Sequence, residues 1–220
     1  MFLNHQRGAL VRTWSVFVDL SDAACVTLTL DASPWGLGGV LSLDGIMKKY
    51  FYSRLTVTDA RLHKRQLGSS KGQQTWESLS VLVALRIWQE HWQGKRVRVE
   101  VRSDNYTALT GAAKLKGKQS IGLILRDLAY LYATNSFEPA VCLRVPGVAN
   151  TLADKLSRIF EPGSSGQVSS ELKHLECTSV PTAGGLLRQD EEEGQEQTVK
   201  SGCITLGSGT SSSPYQRCVT

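Results

Sequence analysis

Three consecutive alternating segments near the start of the chain constrain its fold most tightly. In CVTLTLDAS, residues 25–33, apolar and polar side chains alternate at period two. Val26, Leu28 and Leu30 therefore share one face of a strand, and Thr27, Thr29 and Asp31 share the other. GLGGVLSL and GIMKKYFYS follow, joined at Asp44-Gly45. That dipeptide favours a tight hairpin because both central positions of the turn need positive φ. A chain that opens in this way commits itself to a three-stranded antiparallel meander.

The rest of the pattern adds to that meander. A polar, basic connection runs from Arg54 to Gln74, and TWESLSVLVALRIWQEHW then places Trp76, Leu79, Val83 and Ile87 at helical spacing, with Gly94 as the stop. RVRVEVRSDN alternates again and predicts a fourth strand. YTALTGAAKL and SIGLILRDLAYLYATN read as helices, AVCLRV as a fifth strand, and Pro146-Gly147 breaks the chain before a last helix. Asn150 can cap that helix, and Leu152, Leu156, Ile159 and Phe160 form its apolar stripe. The order βββαβααβα predicts an α/β fold with a five-stranded mixed sheet and helices on both faces.

Composition sets the limits of this domain. From about Pro162 the chain turns to Gly, Ser, Thr, Glu and Gln, with DEEEGQE at 190–196 and GSGTSSSP at 207–214. Such a segment buries too little apolar area to offset its chain entropy, so residues 162–220 are expected to form a disordered tail. The domain is expected over residues 23–161. Residues 1–22 form an extension whose apolar run WSVFVDL is either an added strand or the stub of an upstream element. The net charge of +5 is unevenly spread, with a basic middle and an acidic tail. A basic globular region points to a polyanionic partner or to a solvated surface. The five cysteines have wide, irregular spacing and no C-x-x-C, so neither a disulfide framework nor a zinc site is indicated. No apolar run is long enough for a membrane span and no signal peptide is evident, so an intracellular protein of cytoplasm or nucleus is expected.

Four acids fall at element ends: Asp31, Glu77, Asp104 and Asp154. Singly, each has an ordinary structural role: a turn for Asp31, dipole complementation in a first helical turn for Glu77 and Asp154, a helix cap for Asp104. Together they read differently. Strands one and four would be neighbours through a right-handed crossover carrying Glu77, so Asp31 and Asp104 emerge side by side. Clustered carboxylates repel and raise one another's pKa unless a cation holds them, and hard divalent ions prefer such oxygen cages. Two Mg²⁺ ions held there can stabilise the attacking and leaving oxygens of a phosphodiester. On this reading the glycines after Asp31 let a sugar-phosphate backbone approach the strand closely.

The segments LDASPWGLGGVLS, WESLSVLVALRIWQEHWQGKRVRVEVRSDNYTAL and LRVPGVANTLADKLSR resemble the ribonuclease H domain attached to retroelement reverse transcriptases. The last is similar to the PG-x-x-N-x-x-AD-x-LSR ending of Ty3/gypsy-type and DIRS-like retrotransposons, and SDNYTAL leans to the DIRS-like side. The resemblance runs from about Ala24 to Phe160 and implies a ribonuclease H-like fold. It also implies an endonuclease that cleaves the RNA strand of RNA:DNA hybrids with two Mg²⁺, Mn²⁺ substituting, and leaves 3′-hydroxyl and 5′-phosphate ends. By resemblance Asp31 and Asp104 are central metal ligands, Glu77 binds one metal and orients water, and Asp154 completes the second metal site. A reverse transcriptase polymerase domain is the partner implied in a parent element. One departure stands out: residues 140–153 lack the histidine that many relatives carry before the last acid.

Substrate contacts are assigned to two basic clusters. Lys114, Lys116 and Lys118 form a turn between two helices, and Arg54, Arg61, Lys64, Arg65 and Lys71 crowd the loop before Glu77. Asn105 and the backbone near Asp31 are candidates for reading the RNA 2′-hydroxyl. His63 and His91 are expected at the surface; Trp76, Trp88 and Trp92 are expected in the core. Integrases place Glu last among their acids, and exonucleases of related fold carry Asp-x-Glu in the first strand, where this chain has Ser33 two residues after Asp31. Both are disfavoured. The alternative from another class is an inactive ribonuclease H-like module that only binds nucleic acid or supports structure. No aromatic-x-Asp-Asp motif is present, so no polymerase activity is expected.

Overall fold

The computed structural model describes residues 3–6, 9–12, 23–95, 97–117, 121–135, 141–144 and 150–181. All of these belong to one compact unit, Met1–Leu187. The run WSVFVDL lies outside the described residues. Upstream of it, β1 (Leu3–Gln6) and β2 (Ala9–Arg12) pair as a separate antiparallel hairpin.

The meander forms as the alternation predicts: β3 (Ala24–Ala32), β4 (Gly36–Leu43) and β5 (Ile46–Arg54) are antiparallel neighbours. Asp44 and Gly45 take φ of 49° and 81° at the hairpin. The sequence then yields a helix that hydrophobic periodicity missed, α1 (Val57–Leu62). Its signal is local and polar: the Thr56 hydroxyl accepts from the Asp59 backbone N–H, and the Asp59 carboxylate accepts from the Thr56 N–H, a capping box. Next comes α2 (Gln73–Ile87), entered through a 3₁₀ turn at Ser70–Gly72. It ends at Ile87 and passes into a 3₁₀ turn, Gln89–His91, so Gly94 lies beyond its end instead of stopping it.

Strand β6 (Val97–Ser103) runs parallel to β3, and β7 (Val141–Arg144) runs parallel to β6. Between them lie α3 (Tyr106–Lys114) and α4 (Gly122–Asn135), and the last helix is α5 (Thr151–Ser157). The sheet order β7-β6-β3-β4-β5 is the five-stranded mixed sheet of the sequence reading, extended at one edge by β8 (Glu176–Cys177).

Alternation decides what covers each face. Leu28, Leu30, Leu37, Leu41 and Phe51 share a core with α2 and α4, in which Trp76, Trp88 and Trp92 are buried as expected. The opposite face presents Val40 and Tyr50 to Leu156 and Ile159 of the α5 segment. Helices therefore lie on both faces.

Residues 162–181, which composition assigns to a disordered tail, are ordered on the sheet, and residues 182–220 lie outside the described residues. Leu172 is fully buried against Val40, Tyr50 and Leu156, with Val168 and Leu175 packed beside it. The chain then crosses the edge of β5, where Glu176 and Cys177 pair with Lys49 and Tyr50. Thr178 beyond them accepts a 2.9 Å hydrogen bond from the Trp88 indole N–H. Composition failed here because three spaced apolar residues suffice when the sheet supplies the other half of the contact. Replacing Leu172 by Ala is expected to cost about 2–4 kcal/mol, the usual range for a buried leucine. Urea unfolding would measure it; a loss below about 1 kcal/mol would mean that the segment does not pack.

Candidate metal and active site

The parallel pairing of β3 with β6 builds the centre of the site. Thr29 is in register with Arg102, so two residues further along, Asp31 and Asp104 leave the sheet at the same end. The crossover through α2 brings Glu77 to that end. Oxygens of Asp31, Glu77 and Asp104 all lie within 4.8 Å of one another.

Glu77 does not sit in the first turn of its helix. The helix starts at Gln73, one turn earlier, because the 3₁₀ turn leads straight into it. Dipole complementation is thus not its role. Gln73, four residues back on the same face, donates Nε2–H to Glu77 Oε1 at 2.8 Å and also to the carbonyl of Ala32. One amide therefore links the end of β3 to the acid on α2. Ser103 donates to the other Glu77 oxygen at 3.5 Å. Asp104 is likewise not a cap: Asn105 holds the N-cap of α3 and accepts from the Ala108 N–H at 3.1 Å. Asn105, a candidate for reading the 2′-hydroxyl, thus has its side-chain oxygen committed to the helix.

Asp31 is buried, 4% exposed, and accepts a 2.6 Å hydrogen bond from the Ser157 hydroxyl. Burial pushes its carboxyl up to about 7; Asp154 and Asp104 add to the rise, while the Ser157 bond and Arg158 oppose it. Glu77 is pushed up to about 8, by burial first and then by Asp31 and Asp104, against the Gln73 and Ser103 hydrogen bonds. Two buried acids that resist ionisation beside a third need a cation to become carboxylates together at neutral pH. The donor set is all oxygen, which suits a hard divalent ion such as Mg²⁺ or Mn²⁺. Asp31, Glu77 and Asp104 fit that group.

Asp154 stands in the first turn of α5, as the sequence reading has it, but outside the three-acid cluster. It lies near enough to raise the Asp31 pKa, and its 41% exposed carboxylate accepts from Arg158 Nε at 2.6 Å. Asn150 precedes this helix without giving it a side-chain cap. Instead its Nδ2 donates to the Leu30 carbonyl at 3.0 Å, just where the β3–β6 pairing ends, and so secures the strand next to Asp31.

The glycines after Asp31 serve packing and not nucleic-acid approach. A Cβ on Gly38 would lie 2.6 Å from the Ala153 carbonyl, the Leu156 Cβ and the Ser157 nitrogen, and one on Gly36 would lie 2.8 Å from the Ser157 carbonyl. Their bare backbone lets α5 settle on the sheet, which is what brings Ser157 to Asp31.

No family model matches the chain, and no curated protein matches it. Among solved structures it is similar to LC11-RNase H1, isolated from compost by a metagenomic approach, with 16% identity and a TM-score of 0.44 over 61% of this chain and 91% of that one. The chain's own strand order, with its meander and parallel pairings of β3, β6 and β7, is the arrangement that the sequence resemblance implies. The fold is ribonuclease H-like.

Around the three-acid cluster the basic candidates divide. Lys114 and Lys116 line an open groove of about 650 Å³ with Gln74, Thr107, Thr110, Gly111 and Gly117. Lys118 lies outside the described residues. Arg65 donates Nε–H to Thr75 Oγ1 at 2.9 Å, a contact that steadies the start of α2. Arg54 stacks on the Phe160 ring at 5.9 Å. Lys71, Arg61 and Lys64 are exposed. The histidines depart from expectation: His63 is buried, 3% exposed, edge-on to Trp76, and His91 is half-buried beside Glu90. Periodicity could not place His63, because the helix that buries it announces itself only through its cap. Ser157, Ser103 and Gln73 escaped the sequence reading, and Asn150 entered it only as a helix cap; the N and LSR positions of the resemblance held hints for Asn150 and Ser157. No helix among the described residues is long and apolar enough to cross a membrane.

Proposed function

We propose that this chain is a divalent-metal-dependent endonuclease that hydrolyses the RNA strand of RNA:DNA hybrids, derived from a retrotransposon reverse transcriptase. The observation that carries the reading is the convergence of Asp31, Glu77 and Asp104 within 4.8 Å, two of them buried, at the end of two parallel strands. Asp31 and Asp104 would hold both of two Mg²⁺ ions, Glu77 one of them, and Asp154 the other. Ions bound there supply activation of water and neutralisation of the charge that develops on the scissile phosphate.

The chain's own residues do the positioning. Gln73 and Ser103 hold the two oxygens of Glu77, leaving its remaining lone pairs turned to the site. The attacking water adds its oxygen to phosphorus and gives up a proton to solvent, the bond to the 3′-oxygen breaks, and that oxygen takes a proton from solvent and leaves as a 3′-hydroxyl, with the phosphate kept on the 5′ end. The Lys114 and Lys116 groove supports contact with the hybrid through phosphates, an interaction that weakens as salt rises. A polymerase domain in the parent element would supply further affinity for the hybrid.

The test is cleavage of a strand-labelled RNA:DNA hybrid by the full chain with Mg²⁺ or Mn²⁺, against the same chain carrying Asp104→Asn. Metal-dependent cutting of the RNA strand alone, lost in the variant, is the expected result. Binding of the hybrid without cutting by either metal would make the chain a nucleic-acid-binding module.

A further inference from the structure

We propose that Ser157 is a positioning residue that sets how Asp31 meets a metal ion and ties Asp154 to the same centre. The inference rests on the reading of the acids as a metal site. The Ser157 hydroxyl lies 2.6 Å from Asp31 Oδ2 and 2.9 Å from the carbonyl of Asp154. It has one proton to give. A bond to a helix carbonyl three residues back is common for serine, but the shorter contact to a carboxylate is the stronger acceptor once Asp31 ionises.

The serine is held independently of that bond. Its carbonyl accepts from Ser33 Oγ at 2.7 Å, and Ser33 Oγ in turn accepts from the backbone N–H groups of Trp35 and Gly36, each at 3.1 Å. Gly36 and Gly38 supply the clearance beneath it. The serine is thus fixed through its carbonyl to the β3–β4 turn, and its hydroxyl is aimed at Asp31. With Oδ2 occupied, Asp31 turns its other oxygen to a cation and is kept from rotating. Ser157 and Asp154 share one turn of α5, so the same bond also sets how far Asp154 stands from the cluster. Hydrogen-bond partners of metal ligands are commonly worth about 10–100-fold in metal affinity.

The experiment is calorimetric titration of the full chain with Mn²⁺, in wild type, Ser157→Ala and Ser157→Cys, with unfolding temperature and hybrid hydrolysis measured in parallel. The cysteine keeps the packing but is a weak donor. Both variants are expected to fold and to lose about tenfold or more in Mn²⁺ affinity. An affinity within about twofold of wild type in either folded variant would overturn the inference and leave the serine a helix back-bonding residue. Wild type that binds Mn²⁺ but cuts no hybrid would defeat the nuclease reading while the affinities still decide the role of Ser157. Wild type that binds no Mn²⁺ would overturn both.

Discussion

Replacing Asp31 by asparagine is expected to abolish hydrolysis and, in the metal-free protein at pH 8, to raise stability. The reason is that Asp31 is buried where ionisation is unfavourable, its carboxyl pushed up to about 7. A rise of that size corresponds to about 4 kcal/mol between folded and unfolded protein, an upper limit on what the neutral asparagine recovers. Asparagine can still accept from Ser157 through its side-chain oxygen. The sign follows from proton counts. Between the pKa of the unfolded chain, about 4, and the folded value, the native state holds a proton that the unfolded state has lost. Stability from this group is therefore full below about pH 4 and declines as pH rises towards 7. Glu77, pushed up to about 8, extends the decline of the wild type further.

The difference between variant and wild type should thus be near zero at pH 4 and grow to several degrees in unfolding temperature at pH 8. Mg²⁺ should close the gap by stabilising the wild type, with about 2.7 kcal/mol available at a hundred times the dissociation constant. Loss of about 4 kcal/mol of transition-state stabilisation would lower the hydrolysis rate about a thousandfold. A variant less stable than wild type at pH 8 without metal would show that burial does not oppose ionisation of Asp31.

The second large effect is expected at Gly38. A β-carbon there meets the Ala153 carbonyl, the Leu156 Cβ and the Ser157 nitrogen, each at 2.6 Å. Two of these atoms belong to the backbone of a helix and cannot swing aside. Gly38→Val should therefore lift α5 from the sheet, at about 3 kcal/mol or more, and take Ser157 away from Asp31. Loss of activity should exceed what the loss of folded protein explains. Gly122→Ala is the control: nothing lies within 4 Å of a Cβ at that position, so unfolding temperature should stay the same or rise slightly. Equal effects at the two sites would rule out close approach of α5 as the reason for Gly38.

Much of this architecture is a property of short stretches of chain. Alternation in β3, β4 and β6 decides which side chains share a face, Asp44-Gly45 closes the hairpin, and the chain order brings β6 beside β3, so Asp31 and Asp104 were legible as neighbours. Glu77 was legible at the same end through the crossover helix that carries it, whereas Asp154 stands outside the three-acid cluster. Other assignments depended on partners far away along the chain. Gly38 reads as a glycine beside an acid until α5 arrives from more than a hundred residues later, and only then is its missing side chain explained. Asn150 looked like a cap, yet the Leu30 carbonyl, left without a partner where β6 stops pairing, takes its amide. Leu172 sits in a polar stretch whose composition predicts disorder, and it is ordered because Val40 and Tyr50 present an apolar surface that needs covering. By itself the sequence determined the strands, their faces and the acids, because periodicity and turn chemistry act over a few residues. Only the tertiary structure decided which hydroxyls and amides hold those acids, because a hydrogen bond needs two atoms to meet and neither alone records where its partner lies.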